Sequence, residues 1–445
     1  MIRNYPEVAL PPPQPLLIRL WRHPSLSHYH RLFLLVSLAN LAALGLGLRQ
    51  GGWWSGAAIE LAPLFNLVLA NFSVAILIRQ QYVINLLFWL ATRAPTRFPL
   101  ALRWTLGKVY HFGGLHSGCA TVGTLWFAIF VGSSTVNLVR GQGGASPATV
   151  GLGYALLTIL AVILALALPQ FRTRHHNVFE LAHRFGGWTA LLLFWLLTLL
   201  QVEVERGDSG LGQALLAAPG PWMLCLLTFS ILLPWLRLRK VRVKIQTPSS
   251  HAAVVRFNHG VTPFPGSSTA VSRSPLLEWH HFANIPAPDQ EGFRLIISRA
   301  GDWTGAFIDD RPGQLWVKGI TTAGVANIEI LFRRVVYVAT GSGIGPVMPH
   351  LLAKRVPALL AWSTRSPRKT YGDALVDEIL EAQPDAIIWD TDTRGKPDMV
   401  KLAYEAYFAF DAEAVICIAN QKLTRKVVYG MESRGIPAYG AIWDS

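Results

Sequence analysis

Val335–Gly345 reads VVYVATGSGIG and continues as PVMPHLL through Leu352. Val335, Val336, Tyr337 and Val338 make an apolar, mostly β-branched run, the pattern of a strand buried on both faces of a parallel sheet. Gly341, Ser342, Gly343, Ile344 and Gly345 follow as a glycine-rich turn, and Pro346 suits the first turn of a helix. Glycine lets the backbone approach a pyrophosphate closely, and the free N–H groups of a helix start attract its charge. Taken alone, the turn fits a tight loop equally well. Pro357–Trp362, PALLAW, then reads as a second buried strand that ends in Ser363, Thr364 and Arg365, followed by Arg368, Lys369 and Tyr371. Strand, glycine turn, helix, strand and basic cluster is the layout of a nucleotide half-site. Thr340 to Gly345 are its phosphate-side candidates, and Ser363, Arg365, Arg368 and Lys369 its ribose-side candidates. The cationic cluster favours a nucleotide with an added ribose phosphate, NADPH over NADH; a solvated basic loop is the plain alternative.

The composition divides the chain. Charged residues make up only 15% of 445, mean hydropathy is +0.34, and the apolar excess sits before residue 240. The expectation is part membrane and part soluble. The net charge of +14 then reports cytoplasmic anchoring charge and not nucleic-acid binding. Cys119, Cys225 and Cys417 are far apart and show neither a disulfide framework nor zinc spacing.

In chain order, residues 1–28 read as a cytoplasmic tail in which Pro11–Pro13 and Pro15 preclude a helix. Residues 29–240 hold six apolar segments, about 29–48, 57–78, 105–132, 150–169, 178–200 and 220–236, each near the ~20 residues a bilayer needs. The stretch 80–104 is ambiguous and suits the membrane interface. Basic residues at Arg3–Arg31, Arg79–Lys108, Arg172–Arg184 and Arg237–Lys244 put both termini on the cytoplasmic side. Residues 241–332 show short strands punctuated by Gly and Pro, as in a small antiparallel barrel: an alternating strand from Val241, then His251–Phe257, Leu276–Phe282, Gly292–Ser298, Leu315–Lys318 and Ile328–Leu331. Residues 333–445 alternate strands with helices.

Specific words in the barrel carry a family resemblance. Glu278-Trp279-His280-His281-Phe282-Ala283 looks like an HPFT-type flavin motif, and Ile297–Thr304, ISRAGDWT, looks like an HIRxxGDWT segment. With the six spans, these resemble the ferric reductase and NADPH oxidase superfamily, closest to TmpA-like integral membrane FAD/NADPH oxidoreductases. The tail Tyr439–Ser445 and the run WSTRSPRKTYGD look like that subgroup's. The resemblance implies a six-helix transmembrane bundle, a ferredoxin-reductase-like β-barrel FAD domain and an α/β nucleotide-binding domain, in a multi-pass plasma (inner) membrane protein that contacts membrane lipid. It implies roles at the flavin for His280, Phe282, Arg299, Trp303 and Thr304. Ala283 stands where the family usually has a hydroxyl, and Trp443 matches a terminal aromatic that covers the flavin.

The histidines are the last candidates. His111 and His116 open segment three, and His176 and His183 open segment five. Ionisable groups inside a bilayer are costly and tend to be functional. Family members that carry electrons across the membrane place two histidines on each of two helices, about thirteen or fourteen residues apart. Phe130 and Leu197 occupy the outer positions here, so an outer haem is not expected. His116 and His183 are the preferred axial pair for one haem b, with His111 and His176 as propionate partners, alternative ligands or members of a non-haem metal cluster. Gly113, Gly114, Gly118, Gly186 and Gly187 leave space for a flat macrocycle or for close helix packing. The expected function is electron transfer from NADPH to FAD and on to an inner-leaflet haem or an unknown small-molecule acceptor. Two rivals stand beside it: a ferric-chelate reductase or superoxide generator, and a transporter or sensor with a regulatory nucleotide domain.

Overall fold

The computed structural model describes residues 8–50, 59–288 and 290–441. Its first half is helical: α1 (Leu16–Arg22), α2 (His28–Gln50), α3 (Leu61–Leu77), α4 (Gln81–Ala91), α5 (Leu100–Leu106), α6 (Gly113–Val139), α7 (Pro147–Ala167), α8 (Pro169–Arg174), α9 (His176–Glu205), α10 (Leu211–Ala217) and α11 (Pro219–Leu236). Strands follow: β1 (Leu238–Gln246), β2 (Ala252–Phe257), β3 (Ser267–Ser272), β4 (His280–Ala283) and β5 (Phe293–Ser298), then α12 (Asp302–Asp310), β6 (Gln314–Lys318) and β7 (Thr322–Ala323). The last part alternates: β8 (Val335–Thr340), α13 (Ile344–Ala353), β9 (Ala358–Thr364), α14 (Pro367–Tyr371), α15 (Asp373–Ala382), β10 (Ile387–Asp390), α16 (Thr391–Arg394), α17 (Met399–Ala409), β11 (Ala414–Ile418), α18 (Gln421–Glu432) and β12 (Ala438–Gly440).

The chain forms two compact units. One comprises residues 28–80 and 112–236. Its core is Leu64, Phe127, Phe130, Leu156 and Leu197 with their neighbours. Glycines bring its helices close: a Cβ on Gly114 would lie 2.2 Å from the Tyr29 carbonyl oxygen, and one on Gly118 would lie 3.2 Å from Val36 Cβ. Small residues serve this purpose where helices have no hydrophobic force to drive them together. Asn40 and Asn71 exchange amide hydrogen bonds of 2.9 and 3.2 Å, and the Trp126 indole donates to Asn40 at 2.9 Å, satisfying polar groups that apolar helices would otherwise strand. Among the described residues, five helices are long and apolar enough to cross a membrane: Pro24–Arg49, Val109–Val139, Pro147–Ala167, His176–Glu205 and Pro219–Leu236. A sixth appears only if α3 and α4 count as one span.

The other unit comprises residues 1–27, 81–111 and 237–443. Strand order β4-β3-β6-β1-β2-β5, with β7 beside β3, makes an antiparallel sheet. An antiparallel bridge between Ile285 and Arg294 closes it into a barrel. Val255, Phe257, Leu295, Ile297, Phe307 and Val317 fill it, because alternate residues of each strand point inward. A parallel sheet follows in the order β10-β9-β8-β11-β12. Chain direction from β8 runs outward to β9 and β10, then returns to β11 on the other side. The topological switch point therefore lies between β8 and β11.

Three expectations are corrected here. A helix, α1, starts directly after Pro15, and the segment before it packs onto the reductase end of the chain: Gln14 N–H donates to the Ser433 carbonyl at 2.8 Å, and Arg434 Nε to the Pro11 carbonyl at 2.9 Å. Ile328–Leu331 is not a strand; it lies in a 3-10 helix, Val325–Leu331, while Ser267–Ser272 is a strand that the sequence reading does not contain. Arg103 and Lys108 are not solvated flanking charges. They are 3% and 6% exposed, with the Arg103 guanidinium on Glu413 and Lys108 Nζ 2.6 Å from Glu432.

The Arg103 contact has a pH signature. Burial alone would raise the Glu413 carboxyl, but the Arg103 guanidinium, the Arg333 backbone N–H and nearby positive charge hold it below the usual range. A group with a lowered folded value adds stability that is complete above its unfolded value, about 4.3, and is lost as pH falls through the lower one. Melting temperature should therefore drop on acidification below about pH 4.3, and Glu413→Gln should flatten part of that slope. An unchanged slope would exclude this pair as a contributor.

Candidate functional site

The glycine turn sits at the switch point. β8 ends at Thr340, in register with Ser363 of β9 on one side, while β11 flanks it on the other. Gly341 adopts φ +49°, a region L side chains avoid, and its carbonyl accepts the Trp362 indole N–H at 3.0 Å. A Cβ on Gly343 would fall 2.0 Å from the Ile418 carbonyl oxygen. Ile344 then begins α13, so the turn delivers the chain into a helix start beside the carboxyl ends of the strands. Gly345 faces Ile296 of the barrel, its Cβ position 3.7 Å from Ile296 Cβ. The Tyr371 hydroxyl lies 3.5 Å from Ser298 Oγ and 3.7 Å from the Cβ position of Gly341. The phosphate-side turn and the end of β5 thus face one another across Tyr371.

Ser363 and Thr364 are buried at the end of β9, and Ser366 takes φ +32° to turn the chain. Beyond them Arg365 is exposed, with its Nε 3.4 Å from Asp392. Arg368 is occupied otherwise: its guanidinium meets Asp373 at 2.9 Å and Asp377 at 2.7 Å. Arg365 and exposed Lys369 are therefore the better-placed cations for a ribose phosphate.

The flavin-side candidates gather around α12. Trp303 stacks on His280, ring centroids 4.0 Å apart, on Phe307 at 5.2 Å and on Phe282 at 6.0 Å. Phe282 and Trp303 are half-buried against the barrel core, so part of each ring is packing. His280 Nε2 is 2.7 Å from Glu278, and Ala283 lies opposite Ser268 in the sheet. Arg299 holds Asp309 with both terminal nitrogens, at 3.1 and 2.5 Å, and donates from Nε to the Ser250 carbonyl at 3.0 Å. That ion pair is solvent-exposed, so an incoming pyrophosphate can compete with it. Thr304 is committed to its own helix: its hydroxyl accepts from Ala300 N–H at 2.9 Å and Gly301 N–H at 3.1 Å. The Trp303 indole nitrogen is buried without a hydrogen-bond partner, and a Cβ on Gly301 would meet only open space. An unpaired buried donor beside a cleared backbone and a cation fits the oxygen-rich chain of a bound dinucleotide. Trp443 lies outside the described residues.

One network has no counterpart in the sequence reading. Glu329 accepts from Tyr337 Oη at 2.6 Å and lies 2.7 Å from His350 Nδ1, all three buried. Burial, then the Glu329 charge, pushes the Tyr337 hydroxyl far above its usual range. The network ties α13 to the segment before β8 and abuts Gly266, next to β3. It fixes how the helix after the glycine turn meets the barrel. Polar residues scattered over Glu329, Tyr337 and His350 carry no spacing signal.

In the helical unit, His116 and His183 come together, ring centroids 6.1 Å apart and planes at 74°. His116 Nδ1 is 2.8 Å from the Ala75 carbonyl, the partner that usually fixes a ligating imidazole. His176 is exposed at the start of α9, and His111 is buried in the turn that precedes α6. Among the described residues no three His, Cys, Asp or Glu side chains could hold a metal ion together. The room expected for a macrocycle is taken: Gly114 and Gly118 pack on α2, and Gly186 on Ile163, with a Cβ contact at 3.1 Å. Gly187 opens on empty space. The imidazole pair suits two-nitrogen ligation, while most of the glycines expected to make room for a haem pack on neighbouring helices.

A closed antiparallel barrel followed by a five-stranded parallel sheet is a ferredoxin-reductase-like fold. The class it defines is a flavin-dependent NAD(P)H oxidoreductase-like fold. Residues 325–445 match the family described as Adenylate-forming reductase 03009, C-terminal domain. Two Coprinopsis cinerea proteins, Adenylate-forming reductase 03009 and Adenylate-forming reductase 06235, are 45% identical over 432 residues and 43% identical over 430. Each covers 96% of this chain, which spans only 41% of the relative's length. A ferredoxin NADP+ reductase from Neisseria gonorrhoeae with bound FAD and NADP is similar at 12% identity and TM-score 0.38, over 46% of this chain and 98% of that one. A flavohemoglobin from Malassezia yamatoensis with bound FAD and heme is similar at 14% identity and TM-score 0.41, over 86% and 98%. Likeness at this level is loose; the strand order of the chain itself carries the fold assignment.

Proposed function

We propose that this chain is a multi-pass membrane oxidoreductase that draws electrons from NADPH through FAD to a small organic acceptor, with both termini on the cytoplasmic side of the plasma membrane. The observation that carries this reading is the glycine turn at the switch point, facing the end of the barrel strand that leads into Arg299 and Trp303. FAD, when bound, takes hydride from the nicotinamide and releases electrons singly or in pairs. The chain's own residues do the rest. Gly341 to Gly345 admit the pyrophosphate of the dinucleotide, Arg365 and Lys369 meet its ribose phosphate, and Arg299 leaves Asp309 for the flavin's phosphates. Trp303 supplies a ring face and its unpaired N–H. The name of the matched relatives, adenylate-forming reductase, favours an organic acceptor over ferric iron. The path is drawn without haem, because most of the glycines expected to make room for one pack on neighbouring helices.

The test is an absorbance titration of purified full-length protein. NADPH should bleach bound flavin, and Arg365→Ala with Lys369→Ala should raise KM for NADPH about a hundredfold or more while leaving NADH unchanged, since each lost charge-assisted contact is worth about 1.5–3 kcal/mol. Flavin that NADPH leaves oxidised would sink the reading and favour a regulatory nucleotide domain. The same spectrum bears on the imidazole pair: a Soret band removed by His183→Ala, with flavin retained, would restore haem to the electron path.

A further inference from the structure

The helix Gln81–Ala91 carries large apolar side chains on two faces. Ile84, Phe88 and Ala91 are buried, and Asn85 locks that face to the barrel: its Nδ2 donates to the Thr321 carbonyl and its Oδ1 accepts from Ala323 N–H, both at 2.9 Å. The opposite face shows Tyr82, Leu86, Trp89 and Leu90, each 47–54% exposed. Their spacing of four, three and one makes one continuous stripe along the helix. A helix with two apolar faces at a protein surface has something covering the second.

We infer that this stripe lies in an anionic lipid surface, as an in-plane helix that seats the reductase unit on the bilayer. Three observations choose lipid headgroups as the occupant. Arg93 and Arg97 are exposed, and no acidic residue occurs from Ile78 to Phe112, so the segment complements negative charge. The Arg93 guanidinium lies 4.4 Å over the Trp89 ring, pairing an interfacial aromatic with a snorkelling cation. α3, 17 residues of high hydropathy, ends at Leu77, so Gln81 can be no more than about 14 Å from its end. The inference rests on the membrane reading above, with the sequence segment of about 57–78 as the span and α4 outside it, in place of α3 and α4 as one broken span.

The test uses full-length protein in nanodiscs, in a Cys225→Ser background, with a nitroxide on Leu86→Cys, on Leu90→Cys or on Leu192→Cys. Leu192 is an exposed residue of α9 and reports whether the bundle is in lipid. All three labels should collide severalfold more with oxygen than with a water-soluble nickel chelate. At residues 86 and 90 the preference should grow with phosphatidylserine over pure phosphatidylcholine and shrink with Arg93→Glu plus Arg97→Glu. Water-exposed labels at 86 and 90 with a lipid-exposed label at 192 would overturn the inference and leave the membrane reading intact. Labels shielded from both reagents would overturn it in favour of a protein partner. A water-exposed label at 192 would overturn both. NADPH bleaching in each variant checks that the labelled chain is folded.

Discussion

Gly343→Ala should abolish most NADPH-driven flavin reduction while leaving flavin bound. The added methyl would sit 2.0 Å from the Ile418 carbonyl oxygen and 3.0 Å from its carbon. Neither atom is the tip of a flexible side chain. Both belong to β11, which is hydrogen-bonded to β8 over five residue pairs. The turn must therefore lift away from the switch point, or β11 must slide. Overpacking of this kind costs typically about 1–3 kcal/mol. The kinetic loss is larger, because a displacement of about 1 Å can cost a factor of 100 when reacting atoms must be aligned. We expect kcat/KM for NADPH to fall about 100-fold with a modest fall in melting temperature. Flavin should stay, since Arg299 and Trp303 are on the barrel. Gly341→Ala is the comparison: its positive φ is strained by roughly 1–2 kcal/mol for an L residue, yet nothing but the Tyr371 hydroxyl lies near its Cβ. It should be the milder change. Wild-type rates in Gly343→Ala would remove the turn from the nucleotide site.

Lys108→Ala should be the most destabilising substitution in the reductase unit. Lys108 Nζ is 2.6 Å from Glu432 and donates to the Ala438 carbonyl at 2.6 Å, with its side chain only 5% exposed. Glu432 also accepts the Trp104 indole N–H at 3.2 Å. Truncating the lysine leaves a buried carboxylate with one neutral donor. Breaking such a pair from one side costs about 3–5 kcal/mol. The double variant Lys108→Met with Glu432→Gln should recover most of the loss, because the cost lies in the stranded charge. Thermal release of flavin would follow both. If the single and double variants melt alike, the pair does not anchor β12.

The nucleotide half of the fold is legible because it is local. β-branched runs, a glycine turn and a helix-compatible Pro346 follow one another within twenty residues, and each element obeys its own periodicity. Ser267–Ser272 escapes notice because SSTAVS is small and polar, and its pairing with β4 and β6 is a property of the closed barrel. Ile328–Leu331 misleads because a short apolar run looks the same as a strand or as a tight helical turn. Arg103 and Lys108 read as flanking charge because basic residues near apolar segments ordinarily are. Their mates, Glu413 and Glu432, are more than 300 positions away, and nothing in the local sequence marks a pair of that separation. The glycines beside His116 and His183 illustrate the converse. Their places on the helices follow from the sequence, but which neighbour fills the space depends on α2 and α7, which no spacing rule foretells.

The tie from Lys108 to β12 also sets a schedule for synthesis. The two partners are 330 residues apart in the chain. At the roughly 5–20 residues per second of a ribosome, β12 emerges on the order of tens of seconds after the lysine. Over that interval the early cation has no mate, and the module it belongs to must stay open until β12 has been made.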